Sequence, residues 1–130
     1  MTRDRALLDT NAAIDLLNDE PEIEIDLDGI QSLLLPLIVL GELEFGARNS
    51  GNPKKNLQAI EQLLRNSQLV IPDRDSAAKY GEIHTSIRRK GRPIPTNDLW
   101  IAALALQHGL PLVSRDQHFS VVDGLTIIPF

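Results

Sequence analysis

The sequence predicts an α/β fold: a three-layer α/β/α sandwich with a mainly parallel central sheet. Short apolar runs, such as Leu7-Leu8 and Leu33-Leu34-Leu35, alternate with longer segments whose apolar residues recur at helical spacing, the pattern of successive βα units. The runs are apolar at consecutive positions, as expected for strands covered on both faces. A chain of 130 residues, 42% of them hydrophobic, suits one domain over residues 1–130 with a substantial core. Aromatic residues make up only 4%, so that core is built from Leu, Ile, Val and Ala.

The first strand is read over Arg5 to Asp9. A helix follows over Thr10 to Leu17, with Ala12, Ala13, Leu16 and Leu17 on its apolar face and Thr10 or Asn11 as its cap. The acidic segment after it, containing Pro21 and Asp28-Gly29, reads as an exposed loop or ragged helix. Ser32 to Leu35 is the second strand; Pro36 ends it and suits the first turn of a helix that runs to about Arg48. Asn49 to Pro53 is a turn, and a helix over Lys54 to Leu64 follows, with Leu57, Ile60, Leu63 and Leu64 at helical spacing. Leu69 to Ile71 is a short third strand, ended by Pro72. The helix Asp73 to Lys90 carries Ala77, Tyr80, Ile83, His84 and Ile87 on one face and stops at Gly91. Pro93 to Thr96 is a stiff connector into a helix from Asn97 to His108, stopped by Gly109. Leu112 to Ser114 is the fourth strand, Phe119 to Asp123 is irregular, and Leu125 to Ile128 is the last strand.

Composition excludes several kinds of chemistry. With no cysteine there is no disulfide, thiolate zinc site or cysteine nucleophile, which suits a reducing, cytoplasmic setting. No charged start leads into an apolar stretch of export length, and the run Leu33 to Leu40 is too short to span a bilayer and contains Pro36. The net charge of −5 opposes strong non-specific nucleic-acid binding. Its distribution softens that opposition. Asp15 to Asp28 holds seven acids and no base; without it, 11 acids face 13 bases, a charge of +2.

Four acids stand at the ends of apolar runs or helices. Asp9 follows the first strand and Asp116 the fourth, so both belong at the carboxyl edge of the sheet, where sites form in α/β folds. Glu42 and Glu44 lie about 200° apart on a helix, so only one can face that edge. Glu42 shares a side with Ile38, Val39 and Phe45, expected inward, whereas Glu44 is expected in solvent. Asp98 opens a helix whose body, Leu99 to Leu106, is apolar nearly all round and therefore deeply buried. Each acid also has an ordinary use as a cap, a dipole partner or a solvated charge. Gathered in one cleft, however, they would repel one another, and a divalent cation relieves that repulsion. Oxygen-rich ligation suits Mg²⁺ or Mn²⁺ better than Zn²⁺ and supports metal-assisted hydrolysis of a phosphodiester.

The motifs Leu7-Leu8-Asp9-Thr10-Asn11, Glu42-Leu43-Glu44-Phe45-Gly46-Ala47, Pro95-Thr96-Asn97-Asp98-Leu99-Trp100-Ile101-Ala102-Ala103 and Leu112-Val113-Ser114-Arg115-Asp116 occur in this order. Together they resemble the PIN-domain ribonucleases, specifically VapC-type toxins of bacterial type II toxin–antitoxin pairs, over essentially the whole chain. The resemblance implies a PIN-like sheet and Asp9, Glu42, Asp98 and Asp116 as catalytic metal ligands. It further implies an RNA substrate, a homodimer and a cognate antitoxin. Ser114 takes the place of a hydroxyl residue, often Thr, near the metal in that family. Thr10, Asn11, Asn97 and Ser114 are the polar residues expected to support the acids.

Arg88, Arg89, Lys90 and Arg92, with Arg115, are candidates for holding RNA phosphates, although a basic helix end equally complements its own dipole. His84, His108 and His118 lack metal-ligand spacing and read as ordinary histidines, and Trp100 reads as a packing residue. Rival functions are a receiver-like signalling module, an aspartyl phosphatase and an inactive PIN-like interaction domain. The receiver wants an early acidic pair and a late lysine, whereas the last lysine here is Lys90. The phosphatase wants a second Asp where Asn11 stands.

Overall fold

A computed structural model describes residues 4–18 and 29–130. The acidic segment read as a loop or ragged helix lies, over residues 19–28, outside the described residues. Five strands form one sheet in the order β3-β2-β1-β4-β5: β1 Arg5–Leu8, β2 Ser32–Pro36, β3 Gln68–Val70, β4 Leu112–Val113 and β5 Ile127–Ile128. All four pairings are parallel, with Leu7 beside Leu34 on one side and Leu112 on the other. Ala6, Leu7 and Leu8 are wholly buried, which is why the central strand is apolar at three consecutive positions rather than at alternate ones.

The helices are α1 Thr10–Leu17, α2 Leu37–Arg48, α3 Pro53–Arg65, α4 Arg74–Lys90 and α5 Thr96–His108. α2 packs along α3, α4 along α5, and α1 bridges to α2 and α3. α5 is the core helix: Leu99 and Ile101 through Ala105 are all buried. Asp73 caps α4 in a reciprocal box with Ser76. Gly91 and Gly109 close α4 and α5 at φ 67° and 62°, a conformation that residues with a Cβ adopt at a steric cost.

Several expectations shift. Neither Thr10 nor Asn11 caps α1; Asp9 does, through its own side chain. β3 ends at Val70, leaving Ile71 exposed. Ser114 lies just past β4, and the segment read as irregular is partly a 3₁₀ turn over Gln117–Val121 that buries Phe119. On α4 the buried positions are Ser76, Ile83 and Ile87, while Ala77 and His84 are exposed.

Phe45 was expected to face inward and is instead 71% exposed. The buried stripe of α2 is Val39, Leu43 and Ala47. Phe45 lies about 200° round the helix from Leu43, while Glu42 and Glu44 flank the stripe at about 100° on either side. Glu44 is accordingly half-buried rather than in solvent, 3.4 Å from Arg48.

Truncating the core helix tests its role. Leu104→Ala removes a wholly buried side chain and is expected to lower unfolding free energy by about 2–5 kcal/mol, read from the urea midpoint at unchanged slope.

Candidate metal centre

Strands β2 and β3 run out to one side of β1, and β4 and β5 to the other. The sheet therefore changes direction between β1 and β4, which is where a crevice opens beyond the carboxyl ends of the strands. Asp9 leaves β1 there, and Ser114 leaves β4. Asp9 is buried; its Oδ1 accepts from the Thr10 amide at 2.7 Å and its Oδ2 from Ser114 Oγ at 2.6 Å. Ser114 Oγ in turn accepts the Asp116 amide at 3.0 Å. One hydroxyl thus ties the end of β1 to the start of the 3₁₀ turn.

Asp116 caps that turn by accepting the His118 amide at 2.9 Å. Asp98 stands in the first turn of α5. His118 Nδ1 lies 3.3 Å from Asp98 Oδ2 and 3.1 Å from Asp116 Oδ1. Donor atoms of Asp98, Asp116 and His118 all fall within 4.8 Å of one another. Glu42 reaches in from α2, where Oε2 accepts from Thr10 Oγ1 at 3.0 Å and Oε1 from Asn97 Nδ2 at 3.1 Å.

Asp9 and Asp98 feel their acidic neighbours. Burial first, and then the charges of Asp116 and Glu42, push the Asp9 carboxyl above its ordinary range, against the hydrogen bonds from Ser114 and Thr10. Burial also dominates at Asp98, where Asp9 and Asp116 add to it and the hydrogen bond to His118 opposes it; the carboxyl is pushed up to about 6. Acids this crowded and this poorly hydrated fit a divalent cation, and their oxygen donors suit a hard one.

At this edge the structure brings Asp98, Asp116 and His118 into one group of donor atoms; Asp9 and Glu42 stand beside that group and outside it, Asp9 held by Ser114 and Thr10 and Glu42 by Thr10 and Asn97. Asn11 does not join them: it is exposed and makes no side-chain hydrogen bond among the described residues. His118, read as an ordinary histidine, belongs to the cluster. Its spacing of two residues from Asp116 in Asp116-Gln117-His118 was the available signal, but a 3₁₀ turn is needed to fold that spacing back on itself.

Two candidate phosphate contacts are taken up within the chain. Lys90 Nζ donates to Val121 O at 2.8 Å and to Asp123 Oδ1 at 2.7 Å. Arg115 pairs with Asp15 at 2.7 Å and lies over the Phe130 ring. Arg88, Arg89 and Arg92 are exposed and join no ion pair among the described residues. Trp100 stacks on Tyr80 at 4.3 Å, a packing contact as expected.

The chain belongs to the PIN domain family, whose model matches residues 6–125. The members it is similar to are VapC ribonucleases. It is 32% identical over 114 residues to "Ribonuclease VapC1" of Haemophilus influenzae, covering 85% of each chain. It is 29% identical over 124 residues to "tRNA(fMet)-specific endonuclease VapC" of Salmonella typhimurium, covering 93% of this chain and 94% of that one. Among solved structures, DNA-bound VapBC from Salmonella typhimurium superposes with a TM-score of 0.89 at 29% identity, over 96% of this chain and 97% of that one.

Three measurements probe the centre. Divalent-ion affinity, followed by calorimetry, is expected to fall as pH drops through about 6, because Asp98 then holds a proton that the ion must displace. The ion-free fold is expected to gain stability over the same descent. Its Asp98 binds a proton near 6 whereas the unfolded chain waits until about 3.8, so the penalty of the charged form is present above 6 and is relieved below it. Separately, Ser114→Ala is expected to weaken ion affinity on the order of 10-fold at unchanged far-ultraviolet circular dichroism.

Proposed function

We propose that this chain, as a single PIN domain, is a divalent-metal-dependent endoribonuclease and the toxin of a toxin–antitoxin pair. The observation that carries the reading is the convergence of Asp98 and Asp116 beside Asp9 at the sheet's change of direction, in a chain similar to VapC ribonucleases over most of its length. Asp9, Glu42, Asp98 and Asp116 would hold Mg²⁺ or Mn²⁺. When bound, the cation supplies Lewis-acid charge to the scissile phosphate and activates the attacking water.

The chain's own groups do the rest. Ser114 and the Thr10 amide fix both Asp9 oxygens, so that carboxylate cannot turn away. Thr10 and Asn97 fix both Glu42 oxygens in the same manner. These bonds set the acids in place before substrate arrives, which lowers the reorganisation needed during reaction. Arg88, Arg89 and Arg92 lie before the connector into Asp98 and would draw the RNA backbone towards it.

The antitoxin has a surface to cover. A cavity of about 190 Å³ between α1, α2 and α3 is lined by Ile14, Leu17, Leu43 and Ile60, and also by Glu42. Phe45 stands exposed on the same helix. Apolar surface beside a charged site marks a partner's seat, and a segment lying there would touch Glu42. A second copy of the chain completes the proposed assembly. No helix among the described residues is long and apolar enough to cross a membrane.

Incubation with mixed RNA tests the reading. Cleavage is expected with Mg²⁺ or Mn²⁺, none with chelator, and a loss on the order of 100-fold in Asp98→Asn at unchanged circular dichroism. Intact RNA under all conditions overturns it and leaves an interaction-only PIN domain. Cleavage that ignores the chelator indicates another chemistry.

A further inference from the structure

Resting on the metal-centre reading above, we propose that His118 is itself a ligand of the divalent cation, through Nδ1, and gives the site a mixed nitrogen and oxygen donor set. The imidazole faces two carboxylates with one atom. Nδ1 lies 3.3 Å from Asp98 Oδ2 and 3.1 Å from Asp116 Oδ1. A single N–H cannot serve both acceptors well, and only the Asp98 contact has hydrogen-bond geometry. Adjacent donors on an octahedral ion with bonds of about 2.1 Å are about 3 Å apart. Both separations from Nδ1 match that spacing, and donor atoms of Asp98, Asp116 and His118 all lie within 4.8 Å of one another.

The ring's position is built into the fold. Asp116 accepts the His118 amide at 2.9 Å, and Phe119, wholly buried, anchors the turn from the other side. These two fixed points hold the His118 backbone at the crevice, and the ring there meets Asp98 and Asp116. Half of it remains exposed at the mouth of the crevice, so an ion can enter beside it.

The consequence is selectivity. Carboxylates alone serve Mg²⁺ and Mn²⁺ nearly alike, whereas an imidazole favours the transition metal. The chain, loaded with Mn²⁺ near neutral pH, is examined by pulsed electron paramagnetic resonance. Coupling from an imidazole nitrogen is expected, altered by isotopic labelling of histidine and lost in His118→Ala. In the same variant the Mn²⁺ dissociation constant is expected to rise about tenfold, with Mg²⁺ affinity changing less than about threefold.

Absence of nitrogen coupling in the wild-type chain, with Mn²⁺ binding still weakened by Asp98→Asn, overturns the histidine assignment and leaves the carboxylate site standing. Binding untouched by Asp98→Asn overturns the metal centre itself. The labelled wild-type spectrum decides the matter even if His118→Ala fails to fold.

Discussion

Asp9 and Ser114 are separated by 105 positions in the chain and joined by a hydrogen bond of 2.6 Å. Both side chains are almost wholly buried. A carboxylate in that position has lost most of its water, and its charge is tolerable only because a hydroxyl and an amide point at it. The bond exists because β1 and β4 are neighbours and parallel, so their carboxyl ends arrive side by side. Had β4 joined the sheet at its other edge, beyond β3, the same residues would lie three strands apart.

From that buried pair the charge spreads outward. Ser114 Oγ accepts from the Asp116 amide, Asp116 meets His118, and His118 meets Asp98. Glu42 is linked through Thr10 on one oxygen and Asn97 on the other. Most of the polar groups that surround the acids are donors. This lets the cluster persist in a protein of net charge −5, and it leaves an electrostatic deficit that a doubly charged ion would satisfy. The same economy of charge explains why Arg115 and Lys90 are engaged elsewhere. Each has an acid within the fold at 2.7 Å, so the basic character visible along the chain is partly spent on holding it together.

Capping does not take Asp9 and Asp116 out of the proposed metal site. Asp9 caps α1 and Asp116 caps the 3₁₀ turn, yet both face the crevice. A helix that begins directly after a strand places its capping residue at the sheet edge, which is the edge where the site forms. The cap's ordinary role therefore places these acids where the proposed role needs them.

Strand and helix identities were readable locally. Wholly apolar runs such as Ala6-Leu7-Leu8 demand cover on both faces, and segments such as Leu99 to Leu106 can only be buried helix. Those patterns place Asp9, Asp98 and Asp116 at element ends, and so made most of the acidic site legible. They do not say which strands are neighbours. Periodicity reads a face relative to its own axis, but not the angle at which the helix meets the sheet. That is why Phe45 emerged exposed and Glu44 half-buried. His118 escaped notice for a related reason: it faces Asp98 across 20 positions of chain, a contact created by the packing of the 3₁₀ turn against α5. The sequence by itself determined what each segment becomes and which carboxylates stand at its ends, because those depend on near neighbours along the chain. Only the tertiary structure decided which of them share one crevice, because that depends on strand order and on distances between residues far apart in sequence.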